Sequence, residues 1–499
     1  MGFVQKHAFK TMIISYFGLV LGYINKGVLF VIILSTEQIG LINLLLSVGM
    51  LFAQFSNLGA FNSTIKFLPY FKNDSIKNST FFKLNIKIVL FGILLFTIVT
   101  LLLKNEINRY FGLKSELFVE NYYWIIPLGI ANVFFVLFEN FLRGYHKNIM
   151  PVFLNDFVLR IIIFSLLFLH WFKYIDFTLF LTLYCLLHLI SPIVLFISII
   201  MKKSIEEKEK LKIPVKFKKI ILNYSLFSYS NTLGVIVVTT MDTLMITYYE
   251  GLKATGVYTT ILYLISAVQI PYRSLYRVSE PLVAILWRAK KKVELEVLYK
   301  KLSSVSLLII LFLFLIIWVN RYDLFGFLPS EYSIGIWVFF FLIIGKIVDL
   351  YSGLNGAILV TSKKYKFDIF FTLILLVLVF SLNLVLIPLY GVVGAAISTA
   401  FAVVFYNLGR ILIVWKYYKL HPFELNQIFI LALFLIIILL FEVTPSLKII
   451  PIVNILINSG IITFVFFGVI FKFKLNREIT LYFNKFTQFV FKKEFISVN

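Results

Sequence analysis

The feature that most constrains this chain is the recurrence of apolar segments about 20 residues long, the length needed for a helix to cross a bilayer. Fourteen such segments are legible, near residues 11–34, 39–62, 86–103, 119–142, 151–171, 178–201, 220–248, 255–280, 302–319, 334–360, 367–387, 391–415, 427–444 and 449–471. Hydrophobic residues make up 61% of the 499, and charged residues only 14%, against roughly 25% in a soluble domain. That leaves too little polar surface to cover a water-soluble fold, so lipid must solvate most of the outer faces. The expected fold class is an all-α polytopic membrane protein.

The basic residues test this count. With the N-terminus inside, thirty-seven of the 47 Lys and Arg fall on inside segments or at the inner ends of spans, where Lys87, Arg273, Arg277 and Arg410 lie, and seven on outside ones. The remaining three, Lys26, Arg160 and Lys346, lie within spans. The alternation never goes out of phase, as the positive-inside rule requires of a correct count. It predicts fourteen spans with both termini cytoplasmic. The net charge of +23 is therefore read as topology and not as a nucleic-acid footprint. Lys6 and Lys10 precede the first apolar segment without a small-residue cleavage site, so that segment is read as a retained span. The single cysteine, Cys185, excludes an intramolecular disulfide. Two inside segments, 281–301 with Trp287-Arg288-Ala289-Lys290-Lys291-Lys292 and the tail 472–499, read as amphipathic helices on the inner surface.

Sliding the chain by 216 residues overlays the first two spans on the seventh and eighth without a gap. Gly18 meets Gly234, Gly40 meets Gly256 and Leu46 meets Leu262. Six spans separate the copies, and an even number preserves orientation, so the repeats are parallel. This divides the chain into an N-lobe (1–201), a basic linker (202–219), a C-lobe (220–420), two extra spans (421–471) and the tail (472–499).

Several stretches then resemble one family. Asp242-Thr-Leu-Met-Ile-Thr-Tyr-Tyr-Glu-Gly-Leu-Lys-Ala-Thr-Gly-Val-Tyr258 resembles the helix 7–8 signature of Wzx-type polysaccharide flippases, members of the multidrug/oligosaccharidyl-lipid/polysaccharide exporter superfamily. Thr36-Glu37-Gln38-Ile39-Gly40-Leu41 looks like the matching turn after helix 1. Gly353-Leu354-Asn355-Gly356-Ala357-Ile358-Leu359, with Ser362-Lys363-Lys364-Tyr365, resembles their helix 10 ending. Asn383 to Ala396, through Pro388 and Gly391, resembles their helix 11–12 turn. The resemblance covers about residues 1–420. It implies transport of an undecaprenyl-pyrophosphate-linked oligosaccharide (an O-antigen, capsule or exopolysaccharide unit) across a bacterial inner membrane by alternating access. It also implies polysaccharide polymerase and chain-length proteins as partners, and no enzymatic activity.

A charge at the bilayer centre costs at least about 2.5–3.5 kcal/mol, so the intramembrane charges are the candidate site. Lys26 lies about eight residues from the outer end of its span, about 12 Å at helical rise. Under the 216-residue shift it overlays Asp242, which suggests a gating or coupling pair. Arg273 and Arg277, one turn apart, offer two guanidiniums for phosphate. Lys346 is a fourth candidate for substrate binding, with Asp349 at i+3 as a coupling group. Asp156 with Arg160, and Glu139 with Arg143, read as structural i,i+4 pairs. His188 reads as a helix-contact residue. No Walker motif, metal cluster or nucleophile elbow is present in the sequence, so no cofactor is expected. A Na+ or H+ gradient, or the membrane potential, is the expected source of direction. The alternatives are a lipid II flippase or a cation-coupled multidrug exporter of the same superfamily. From another class stand a membrane glycan polymerase or ligase, against which the short outside loops count, and a structural scaffold.

Overall fold

A computed structural model describes residues 2–71, 75–112, 114–145, 147–201, 215–444 and 450–491. The basic linker expected at 202–219 falls outside them up to residue 214, as does the end of the expected tail beyond residue 491. The described residues form helices and turns, with no β-strand among them. Among them, twelve helices are long and apolar enough to cross a membrane, and a bent pair, Leu252–Val268 with Ile270–Arg288, passes the same test of length and composition when taken together. Their outward faces are apolar, with Phe464 82% and Leu102 74% exposed, as lipid-facing surfaces require.

The helix count and the fourteen expected spans differ because Lys366–Tyr418 runs as one 53-residue element. Unbroken, it would be about 80 Å long, far more than a hydrocarbon core of about 30 Å. It is broken at Gly391 (φ 57°, ψ −137°), a conformation open to glycine and costly for any side chain. Pro388, three residues earlier, lacks the N–H needed to continue the helical ladder.

The expected amphipathic surface helix at 281–301 is corrected. Residues 281–288 complete the helix Ile270–Arg288, a turn follows with Lys290 at φ 58°, and Lys292 starts the long helix Lys292–Val319. Leu295, an apolar residue of that segment, is buried in protein at 1% exposure. The tail does form a helix, Arg477–Phe491, tied to the start of that long helix by Lys301–Glu478 (2.6 Å) and by Asn476 donating to Ser304 (3.1 Å).

By contacts the chain divides into two units, residues 1–260 and 261–499. The division by sequence repeat counts the helix Val215–Glu250 with the second half, whereas by contacts it belongs to the first unit, where it packs on Thr36–Ser56. In the first unit, Thr36–Ser56 opens with a capping box: Ser35 Oγ accepts from the Gln38 N–H (3.2 Å), and Gln38 Oε1 accepts from the Ser35 N–H (3.0 Å). The helix packs against Ile125–Gly144. Phe81, Phe82, Phe138 and Phe141 fill the core beside them. In the second unit Tyr299, Leu302, Leu354, Ile358 and Val414 form a buried core around the helix Asn355–Thr361.

Candidate functional site

The first unit brings a polar cluster together inside its apolar bundle. The first span is regular to Tyr23 and then widens into a π-turn, Ile24–Leu29, that carries Lys26. A second π-turn, Phe153–Val158, carries Asp156. Such insertions recur at functional sites because they re-aim side chains inside a helix. The two segments are joined by polar bonds. Ser15 donates to Asp156 Oδ2 (3.2 Å), Asn25 Nδ2 to the Arg160 carbonyl (2.7 Å), and the Arg160 guanidinium to the Gly18 carbonyl. Arg160 and Asp156 stand 3.9 Å apart. These groups fix the turn from which Lys26 projects.

Lys26 is half-buried, and its Nζ reaches Asn43 Oδ1 at 3.4 Å. Asn43 Nδ2 donates to Thr259 Oγ1 (3.0 Å) and to the Ile39 carbonyl (3.1 Å). Asn43 and Thr259 are separated by 216 residues, the repeat interval. A residue touches its own counterpart only where a two-fold axis passes. The neighbouring glycines agree. A Cβ on Gly40 would stand 2.9 Å from the Leu252 carbonyl carbon, and one on Gly256 would stand 2.8 Å from that of Thr36. Thr36 and Leu252 are themselves 216 apart. The helices Thr36–Ser56 and Leu252–Val268 thus cross backbone to backbone at a reciprocal contact, as small residues permit in membrane bundles.

Asp242 is 6% exposed and accepts a hydrogen bond from Tyr258 Oη at 2.6 Å. Lys26 and Asp242, equivalent by the repeat, are each held by the second helix of their own pair: Lys26 by Asn43, Asp242 by Tyr258. Asn43, Thr259 and Tyr258 escaped the sequence reading. The repeat interval already aligned Asn43 with Thr259 and could have found that pair. The other expected pair, Glu139 with Arg143, is a 2.8 Å ion pair with Arg143 52% exposed. His188 Nδ1 bonds the Tyr184 carbonyl at 2.8 Å.

The second unit holds a separate polar cavity of about 310 Å³. Its lining includes Tyr272, Tyr276, Glu280, Asp349, Asn407 and Arg410. Lys346 Nζ lies 3.0 Å from Asp349 Oδ2, and Asn407 donates to the other oxygen at 3.2 Å. The expectation that Arg273 and Arg277 present the functional face of their helix does not match this cavity. Both are exposed, with Arg273 reaching Gln269 at 3.4 Å. The face at 272, 276 and 280 lines the cavity instead. The helix bends 55° from its predecessor, and Tyr272 Oη anchors it to the Gly353 carbonyl at 3.1 Å. The sequence reading also missed the ion pair of Arg410 with Asp368, whose side chains are 13% and 11% exposed. Arg410 stacks on Tyr406 at 4.5 Å and lies against Gly356.

The fold is one seen in solved membrane transporters. Similar solved structures include the lipid II flippase MurJ in an inward closed conformation (16% identity, TM-score 0.69, 92% of this chain and 99% of that one). Others are a multidrug resistance MATE family transporter of the MOP superfamily (13%, 0.60, 79% and 93%) and a MATE transporter from Vibrio cholerae (11%, 0.55, 84% and 98%). These likenesses show the fold. The chain belongs to the polysaccharide biosynthesis protein family, whose model matches residues 4–287. A search of curated protein sequences finds no match.

Proposed function

We propose that this protein flips a lipid-linked oligosaccharide, with an undecaprenyl-diphosphate carrier, across a bacterial inner membrane by alternating access. The observation that carries the reading is Lys26. It is a cation held inside an apolar bundle by a π-turn and a chain of polar bonds that ends on the repeat axis. Family membership supports a glycan-related cargo. A diphosphate crossing hydrocarbon needs fixed cations and polar groups in place of water. A phosphate oxygen arriving at this ammonium adds a full negative charge where the Asn43 amide offers only a dipole, a stronger attraction in a low-dielectric bundle.

Asp156 and Arg160 hold the Lys26 turn in place. Asn43 and Thr259 join the two helix pairs where the repeats touch. The Lys346–Asp349 pair and Asp242 are the candidates for coupling to a Na+ or H+ gradient. Arg273 and Arg277, exposed beyond the helix bend, are assigned to first capture of the diphosphate at the basic face. On this reading the two arms of Lys366–Tyr418 cross separately, giving fourteen spans with both termini on the basic side. The helices contribute binding and gating, with no covalent chemistry and no cofactor. O-antigen, capsule and exopolysaccharide units all fit this description of the cargo.

The test is export in cells that depend on this protein. Lys26→Ala is expected to lower surface glycan at least about 10-fold, the equivalent of one charge-assisted contact of about 1.4 kcal/mol or more. Protein level in the membrane should be unchanged, and Lys26→Arg should retain part of the function. Full export from Lys26→Ala would remove this residue from the mechanism.

A further inference from the structure

The ends of three helices of the second unit, on the side away from the Lys- and Arg-rich loops, enclose a groove of about 1020 Å³. The helices are Lys292–Val319, Leu425–Val443 and Pro451–Lys472. Neither the overlaid spans of the repeat nor the Lys26 cluster contributes a residue to this groove. Polar groups converge on it from all three chain segments. Arg321, 8% exposed, donates to Glu442 (2.9 Å) and to the Trp318 carbonyl (2.9 Å). Its guanidinium lies over the ring of Trp318 (4.4 Å) and over that of Tyr322 (4.5 Å). Asn454 donates to Asp323 Oδ2 at 2.5 Å, and Asn458 donates to Asn454 (3.3 Å) and Asn320 (3.1 Å).

The cluster leaves specific capacity unused. Asp323 Oδ1 and Asn458 Oδ1 accept no hydrogen bond among the described residues. Tyr322 is 70% exposed and presents an aromatic surface at the rim. The charge balance narrows the ligand. One guanidinium faces two carboxylates, and that guanidinium is already bonded to one of them. A phosphate would therefore meet net negative charge. Among the described residues no group of three or more His, Cys, Asp or Glu is placed to hold a metal ion. A carboxylate, two amides and an open aromatic ring instead suit hydroxyls, which both donate and accept, carried on a ring with an apolar face.

We infer that this groove is a carbohydrate subsite, taking sugar rings through Asp323, Asn458 and Tyr322. The inference rests on the glycan-transport reading for its ligand class and names a second place where the cargo's sugars are held.

Saturation-transfer NMR on the full chain in lipid nanodiscs tests it, with maltose, N,N′-diacetylchitobiose and phosphoethanolamine as probes. Transfer to the ring protons of at least one disaccharide is expected. Asp323→Asn and Tyr322→Ala should each reduce it about five-fold, the worth of one hydrogen bond or stacking contact of about 1 kcal/mol. Tyr322 is exposed enough that its truncation leaves the fold intact. No transfer from either disaccharide, undiminished transfer in both variants, or transfer from phosphoethanolamine alone would overturn the inference. Sugar binding with failed lipid flipping would sink the transport reading only. Intact flipping without sugar binding would sink this one only.

Discussion

Gly40→Val is expected to lower the thermal unfolding temperature and to cut glycan export at least about 10-fold, an effect of the size that overpacking by about 1–3 kcal/mol produces. At Gly40 a Cβ would stand 2.9 Å from the Leu252 carbonyl carbon and 3.0 Å from the Gly256 nitrogen. Both are backbone atoms, so no side chain can rotate away. The helices must separate, and separation also lengthens the 3.0 Å bond between Asn43 and Thr259 one turn along. Gly256→Val should behave alike, because its Cβ would meet the Thr36 backbone in the reciprocal position. Gly460 supplies the control. A Cβ there meets nothing within 4 Å, so Gly460→Ala should be neutral or slightly stabilising, as alanine in a helix interior usually is. Native stability and export in Gly40→Val would mean that the two helices do not meet as described.

Arg410→Ala should be the most destabilising change in the second unit, by about 3–5 kcal/mol, the cost of leaving one partner of a buried ion pair uncompensated. Asp368, 11% exposed, would lose its counter-ion. The truncation would also remove the stacking on Tyr406. The double replacement Arg410→Met with Asp368→Leu is expected to recover much of the loss, since apolar residues of similar volume replace buried pairs at small cost. Thermal unfolding of both variants in detergent checks this, and the coupling between the two positions is the diagnostic quantity. Simple additivity of the two single losses would show that the pair does not act as a unit.

What was legible beforehand follows a physical division. Span positions were readable because a bilayer forces runs of apolar residues of fixed length, and the loop charges supplied a second, independent signal. The repeat was readable because Gly40 and Gly256 cannot be replaced at a close helix crossing, so the same residue stands at both. Lys26 stood out because charge in hydrocarbon is costly. What escaped depended on tertiary contacts. The π-turn at Ile24–Leu29 leaves no mark in composition. Arg410 was counted with the inner-end cations because its partner, Asp368, is 42 residues away and on a different arm of the helix broken at Gly391. Arg273 and Arg277 were favoured by residue type, whereas helix rotation places the face of Tyr272 and Tyr276 on the cavity. The segment 281–301 looked like a surface helix because its basic cluster at 288–292 hides a turn between two longer helices.

The most direct measurement is flipping in proteoliposomes that contain only this protein and a labelled undecaprenyl-diphosphate oligosaccharide, read by the fraction of label exposed on the far leaflet. Folded protein should move the lipid at least about ten times faster than protein-free vesicles, the same margin expected for Lys26 in cells, with Lys26→Ala close to the protein-free rate. Equal rates with and without folded wild-type protein, under an imposed Na+ or H+ gradient and membrane potential, would contradict the account.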